Sequence, residues 1–257
     1  MGAAENAPGA GLGFGIDIGG TGIKGAPVEL STGNFARERI RRTTPEPSTP
    51  QNVVAVVEEL LTAFGWTGAF GCTVPGIVQH GVVHSAANID PSWIGFDLEA
   101  TLRERTGQPV AVVNDADAAG LAEVHYGAAR DTSGTVLLTT LGTGIGSALV
   151  HHGVLVPNTE LGHLYLTSGT VAERHAANSV REEEDLSWAE WAARLQAYFE
   201  HLEFLFSPDL LVIGGGVSKK ANMFVPHLDL HTPVRPAELR NNAGVIGAAT
   251  LGAALPG

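Results

Sequence analysis

The sequence predicts an α/β protein assembled from two related halves, and three observations carry that prediction. Strand-like and helix-like segments alternate along its 257 residues, the pattern of sheets covered by helices. Hydrophobic residues make up 44% of the chain, with 33 glycines and few aromatics, a composition that excludes a disordered or fibrous protein. The third observation is an internal repeat. "GTGIKGAPV" at Gly20–Val28 matches "GTGIGSALV" at Gly142–Val150 in six of nine positions, and 142 − 20 = 122 residues is close to half the chain. Two strand–glycine-turn–strand units half a chain apart imply a duplicated fold with two anion-facing hairpins across a cleft.

The elements follow in order. "LGFGIDI" and "IKGAPVEL" read as strands flanking the turn Gly19–Gly20–Thr21–Gly22, and "NFARERIRRTT" as a third, more polar strand. Thr49 and Pro50 supply a cap and a first-turn proline. The helix they open should bury Val53, Val54, Val57, Leu60, Leu61 and Phe64 before Gly65 ends it. "GAFGCTV" is a strand, "DLEATLRERTG" a helix, "PVAVVND" a strand and "ADAAGLAEVHYG" a helix. "TVLLTTL" and "GSALVHHG" pair around the second glycine turn, with His151 and His152 solvated at a hairpin end. "SWAEWAARLQAYFEHLEFLF" opens with a Ser187–Glu190 capping box and carries a stripe of Trp188, Trp191, Leu195, Tyr198, Leu202 and Leu205. At helical spacing such a stripe is core and not a cofactor box. "DLLVIGGG" runs a strand into a third glycine turn, Gly214–Gly215–Gly216, and "AGVIGAATLGAAL" is a small-residue helix. The expected division is one domain over 11–117 plus 241–257 and a second over 118–240.

Composition also narrows the function. A net charge of −12 argues against nucleic acid and against acidic membrane surfaces. With no apolar run of 18 residues and no basic leader at the start, the chain reads as cytoplasmic. A single cysteine, Cys72, rules out internal disulfides and any multi-thiolate metal site, and its setting in "AFGCTVPG" is that of a buried strand residue.

The glycine turns carry the chemistry. Consecutive N–H groups in such turns form anion-binding concavities, and glycine keeps Cβ atoms out of the approach. A Walker motif fails on spacing, since no lysine stands in its frame, and a dinucleotide fingerprint is weak because a strand follows "GTGIG". An aspartate stands only in the first copy, Asp17 against Thr139. "VVND" ends a strand with Asn114 and Asp115, where open α/β sheets bind ligands. Asp115 could serve there as a helix cap or as an acid–base group.

"GIDIGGTGIKGA", "VVNDADAAGLAE", "TLGTGIG", "ELGH" and "IGGGVSKK" resemble, in this order, the sugar kinases of the repressor, open reading frame, kinase (ROK) family. The likeness runs from about Gly13 to Ala254. It implies the duplicated actin/hexokinase-type (ribonuclease H-like) ATPase fold, with two domains around a cleft. "DIGGTGIKGAPV" looks like the branch of that family that phosphorylates glucose from inorganic polyphosphate, and in part from ATP, with mannose as a second acceptor. Most family members place a lysine directly after "GGT"; here that position is Gly22 and the lysine is Lys24.

The resemblance makes Asp115 the general base and Asn88, Asn114, Asp115, Glu160 and His163 the sugar contacts. Many relatives follow "ExGH" with a cysteine-rich zinc loop ending in a glutamate. Here "LYLTSGTVAERHAANS" looks like a shortened version in which Glu173 is that glutamate, and no zinc is expected. Phosphate or nucleotide would meet Gly19, Gly20, Thr21, Gly22, Lys24, Thr140, Gly142, Thr143, Gly144, Gly214, Gly215, Gly216, Lys219 and Lys220. A buried strand aspartate without a cation is costly, so Asp17 should face Mg2+ or Mn2+ beside the donor phosphates. The arginines of "RERIRR" read as a solvated edge strand and not as a donor track. The expected partners are glucose or a related hexose with polyphosphate or ATP, and a homodimer is admitted. Two other readings are a sugar-responsive ROK regulator, which would carry a basic DNA-binding helix ahead of the first strand, and an actin- or chaperone-like ATPase, against which "ELGH" speaks.

Overall fold

The computed structural model describes residues 11–86 and 89–256. The first half contains strands β1 (Leu12–Ile18), β2 (Ile23–Glu29) and β3 (Ile40–Arg42), helix α1 (Pro50–Phe64), β4 (Phe70–Val74), a small hairpin of β5 (Val78–Gln79) and β6 (Val82–Val83), α2 (Leu98–Thr106), β7 (Val110–Asn114) and α3 (Asp115–Tyr126). The second half contains β8 (Thr135–Leu141), β9 (Ile145–His151), β10 (Val154–Val156), α4 (Ala172–Ala176), α5 (Asn178–Glu183), α6 (Trp188–Phe206), β11 (Leu210–Gly214), α7 (Ala221–Phe224) and β12 (Val234–Pro236). Helix α8 (Ala243–Ala253) closes the chain.

The repeat in the sequence is a repeat in topology. One sheet runs β3-β2-β1-β4-β7 and the other β10-β9-β8-β11-β12. In each, the first three strands in sequence are antiparallel neighbours and the last two add in parallel. Among the described residues, one unit runs to Ala122 and resumes at Asn242, and the other is Glu123–Asn241. The boundary therefore falls inside α3.

Local rules explain most element ends. Thr49 stands at the cap of α1 with Pro50 behind it, all six expected apolar positions are buried, and Gly65 closes the helix in the left-handed region. The Ser187–Glu190 capping box forms in full. Two expectations are corrected. The third strand is only Ile40–Arg42, because Arg37 turns back to donate to the Phe64 carbonyl and lies over the Phe64 ring. Along α6, Leu205 is 47% exposed while Phe199 is buried, so the buried face turns away from the last turn of the helix.

The first unit is organised by how closely α8 approaches its sheet. A Cβ added to Gly15 of β1 would overlap the Val245 carbonyl, and one on Gly71 of β4 would overlap that of Ala248. Backbone lies on backbone here, so α8 must be rich in small residues. Over this sheet's other face pack Phe14, Ile16, Val57, Leu60, Phe70 and Trp93. The second unit has its own core around Leu137, Trp191, Leu195, Tyr198, Phe199 and Phe224.

Gly15→Ala and Gly71→Ala are each expected to destabilise the protein by about 3 kcal/mol, the upper end of overpacking costs, in urea denaturation. Gly216→Ala is the control. Nothing lies within 4 Å of its added Cβ and its φ is not left-handed, so it should stay within about 0.5 kcal/mol of wild type.

Candidate functional site

In the first unit, the β1–β2 register sets Asp17 opposite Lys24, and the β1–β4 register sets it beside Thr73. Lys24 Nζ lies 2.8 Å from Asp17 Oδ2, and Thr73 Oγ1 donates to Oδ1 at 2.9 Å. Sequence reasoning gave this carboxylate a divalent metal because an acid in a strand needs a cation. In the structure Lys24, from the next strand, is a cation in contact with it. Gly244, in the first turn of α8, faces the same carboxyl group, and a Cβ there would stand 3.0 Å from its carbon. Helix α8 thus presents its N-terminal end, the positive end of its dipole, to Asp17.

The four-residue turn Gly19–Gly22 follows, closed by Gly19 N–H donating to the Gly22 carbonyl at 3.1 Å. Thr44 Oγ1 donates to the Gly19 carbonyl at 2.6 Å. Arg41 Nη2 donates to the Thr21 carbonyl at 2.8 Å, which places its guanidinium over the turn. From the sequence this residue reads as part of a solvated edge strand, with no sign of its contact to the turn. The β2–β3 register, Lys24 opposite Arg41, is the signal, and it is hidden by the irregular stretch between those strands.

At the β7–α3 junction the two neighbouring polar residues divide their work. Asn114 Oδ1 accepts from Ala116 N–H at 2.8 Å and from Asp117 N–H at 3.1 Å, and its Nδ2 donates to the Gly76 carbonyl at 3.1 Å. Asn114 is therefore the helix cap. Asp115, the residue weighed for that role, sits at the first helical position, half-buried, with Oδ1 on the Ala116 N–H. Asn88 lies outside the described residues.

In the second unit the turn Gly142–Gly144 has three residues, one fewer than the first. Counted from the turns, the partners of Asp17 and Lys24 in the second hairpin are Thr140 and Gly146 rather than Thr139 and its neighbour. Neither bears charge. Charge arrives instead from Glu173 on α4: its Oε2 stands where a Cβ on Gly144 would be 2.6 Å away, and Oε1 lies 3.5 Å from His163 Nδ1. His163 Nε2 is 4.0 Å from Glu160 Oε2. The three residues chosen from the sequence, Glu160, His163 and Glu173, thus gather beside the second turn. Ser147 fixes their approach, donating to the Thr159 carbonyl and accepting from Leu161 N–H. Ser179 at α5 binds the turn itself, its N–H on the Gly142 carbonyl and its Oγ on the Thr143 carbonyl. Their exposure makes the ion pairs weak in stability terms. Their value is a set of planar donors and acceptors suited to a polyhydroxyl ligand.

The third turn packs over the second: a Cβ on Gly215, whose φ is +80°, would meet the Leu141 carbonyl at 2.5 Å. Lys219 and Lys220 follow it, both exposed. Lys220 Nζ stands 5.8 Å above the Trp188 ring, and Arg181 lies 4.3 Å over the same ring. Gly142 and Gly216 have open space where a side chain would be and no left-handed φ. The fold does not require glycine there, and a ligand close to the main chain would. Among the described residues no group of three His, Cys, Asp or Glu is placed to hold a metal ion.

The ROK family profile matches residues 13–181. The chain is 50% identical over 238 residues to the polyphosphate glucokinase of Mycobacterium tuberculosis strain CDC 1551, covering 92% of this chain and 89% of that one. It superposes with a TM-score of 0.86 and 52% identity on the crystal structure of the inorganic polyphosphate/ATP-glucomannokinase from Arthrobacter sp. strain KM, covering 94% and 98% of the two chains. A ROK family glucokinase from Streptomyces griseus, solved with glucose and AMPPNP, gives a TM-score of 0.79 at 25% identity, covering 95% and 99%. The two sheets are those of the actin/hexokinase-type fold shared by these kinases.

Cys72 is fully buried on β4, next to Thr73. Burial first, and then the charge of Asp17, push its thiol far above the usual range. The thiol should therefore resist iodoacetamide and disulfide reagents at pH 8 in the native protein and react at once when unfolded. Rapid stoichiometric labelling of folded protein would contradict this packing.

Proposed function

The chain belongs to the ROK family, and on that premise we propose that it is a sugar kinase transferring a phosphoryl group from inorganic polyphosphate or ATP to the 6-hydroxyl of glucose, with mannose as a second acceptor. Half-identity to a polyphosphate glucokinase and to a polyphosphate/ATP-glucomannokinase supports the activity class. The observation that carries the mechanism is the β7–α3 junction. Because Asn114 caps the helix, Asp115 is not needed for capping and can accept a proton.

In this reading Asp115 draws the proton from the attacking hydroxyl, a role worth about 10²–10⁴ in rate. Glu160, His163 and Glu173 orient the sugar through its other hydroxyls, with Asn88 and the remaining Asn114 amide hydrogen as further contacts. The turn Gly19–Gly22, with Lys24, and the turn Thr140–Gly144 receive the donor phosphates on their N–H groups. Lys219 and Lys220 stand beyond the third turn, Gly214–Gly216, which faces the rest of the donor.

Mg2+ or Mn2+ would be held by Asp17. One hard carboxylate whose side chain is 14% exposed, beside an anion-facing turn, suits an ion that takes its other oxygens from phosphate and water. When bound, such an ion neutralises charge on the phosphoryl group in flight. Lys24 already holds Asp17 and keeps that carboxylate in place. Zinc has no place in this reading, since the one cysteine is buried in a strand.

Asp115→Asn should cost at least about 10²-fold in kcat while glucose still binds, because the amide keeps the geometry but accepts no proton. Kinetics with glucose titration calorimetry check this, and retention of more than about a tenth of wild-type turnover would remove Asp115 from the role. Donor choice is tested separately. Only polyphosphate carries charge far beyond the transferred group, so Lys219→Ala with Lys220→Ala should raise KM for long polyphosphate more than for ATP. Salt should shrink that difference in the wild type, since exposed charge is screened over about 8–10 Å. Equal effects on both donors would assign the lysines to a phosphate the donors share.

A further inference from the structure

Three of the four arginines at the outer edge of the first sheet are occupied with neighbours. Arg37 serves Phe64, Arg39 Nη1 donates to Asn242 Oδ1 at 2.9 Å, and Arg42 pairs with Glu59 at 2.7 Å. Arg41 differs. It is the register partner of Lys24, which is the register partner of Asp17, so the three side chains stand in one row on one face of the sheet. Its guanidinium lies against the first glycine turn so closely that a Cβ on Gly22 would come within 2.5 Å of Nε and Nη2. One donor goes to the Thr21 carbonyl, and no carboxylate lies within 4.0 Å of it among the described residues. A guanidinium has five N–H donors in a planar fork that matches phosphate oxygens. The row holds one carboxylate and two cations, and the surplus positive charge sits on the exposed side, at Arg41.

We propose that Arg41 is the donor-anchoring residue of the first glycine turn, gripping oxygens of the phosphate chain with its free N–H groups while Lys24 stays with Asp17. The proposal rests on the kinase reading for the identity of the phosphate ligand. It also gives Gly22 a second purpose: without a side chain, it lets the guanidinium lie on the turn. Because this turn is where both donors deliver the phosphoryl group, Arg41 should treat ATP and polyphosphate alike, unlike the lysines beyond the third turn.

The test uses Arg41→Ala and Arg41→Lys in the full chain, with kinetics for both donors and for glucose, melting temperature, and calorimetric titration with inorganic tripolyphosphate. Arg41→Ala should raise KM for ATP and for polyphosphate by the same factor, at least about tenfold for the loss of a charge-assisted hydrogen bond. KM for glucose and the melting temperature should hold. Arg41→Lys should recover part of the loss, and the rise of donor KM with salt should be flatter in Arg41→Ala than in wild type. Donor KM within about threefold of wild type would overturn the proposal. So would a joint rise of donor and glucose KM with a lowered melting temperature, the mark of a mere brace on the turn. If Arg41→Ala does not fold, Arg41→Lys decides, since losing the fork should still weaken the donor and an unchanged donor KM would sink the idea. A wild-type chain that transfers nothing to glucose contradicts the kinase reading instead. Arg41 is then judged on tripolyphosphate alone, with affinity expected to fall at least about tenfold in Arg41→Ala and equal affinity overturning it.

Discussion

A carboxylate on the central strand of a five-stranded sheet sets the terms for the first unit. Asp17 is too enclosed to rely on water and too polar to be left alone. Each neighbouring strand answers it: Lys24 from β2 with charge and Thr73 from β4 with a hydroxyl. Helix α8 answers it too, through a glycine that lets the helix end come close. The approach is possible because β1 and β4 carry Gly15 and Gly71 where the helix backbone lies on them. The glycines in "GFGIDIGG" therefore serve two ends. Those inside the strand admit a helix from one side, and those after it form a tight turn closed by Gly19 N–H on the Gly22 carbonyl.

The duplicated hairpin shows how one piece of topology can be given two chemistries. Shortening the turn by one residue moves every pair beyond it by one register position. In the first hairpin the second pair is acid and base; in the second it is Thr140 and Gly146. The second turn obtains its polar groups from outside the hairpin, from Glu173 below Gly144 and from the Glu160–His163 run held by Ser147. One hairpin thus carries its charge built in, and the other borrows its charged groups from the segments around it.

Much of this was legible in the sequence because it depends on local rules. Thr49–Pro50 and Gly65 bound α1, Ser187 and Glu190 close a capping box, and the 122-residue offset becomes two sheets of one strand order. The gathering of Glu160, His163 and Glu173 was legible only through resemblance, since nothing local joins residues 160 and 173. Three things were not legible. Lys24 as the partner of Asp17 depends on a four-residue turn that sets the register. Arg41 over Gly22 depends on how an irregular ten-residue connection returns to β2. Asn114 as the cap depends on backbone directions at a strand end, which favour it over the equally suitable Asp115. In each case a non-local geometric fact decided between side chains that composition and spacing leave equal.

The central claim is that these parts together move a phosphoryl group onto one hydroxyl of a hexose. Phosphorus NMR of the wild-type chain incubated with glucose, a divalent ion and polyphosphate tests it most directly. The account predicts a phosphomonoester signal that appears only with glucose and couples to the two protons of carbon 6, while polyphosphate shortens. Release of orthophosphate at the same rate with and without glucose, and no sugar ester, would contradict it.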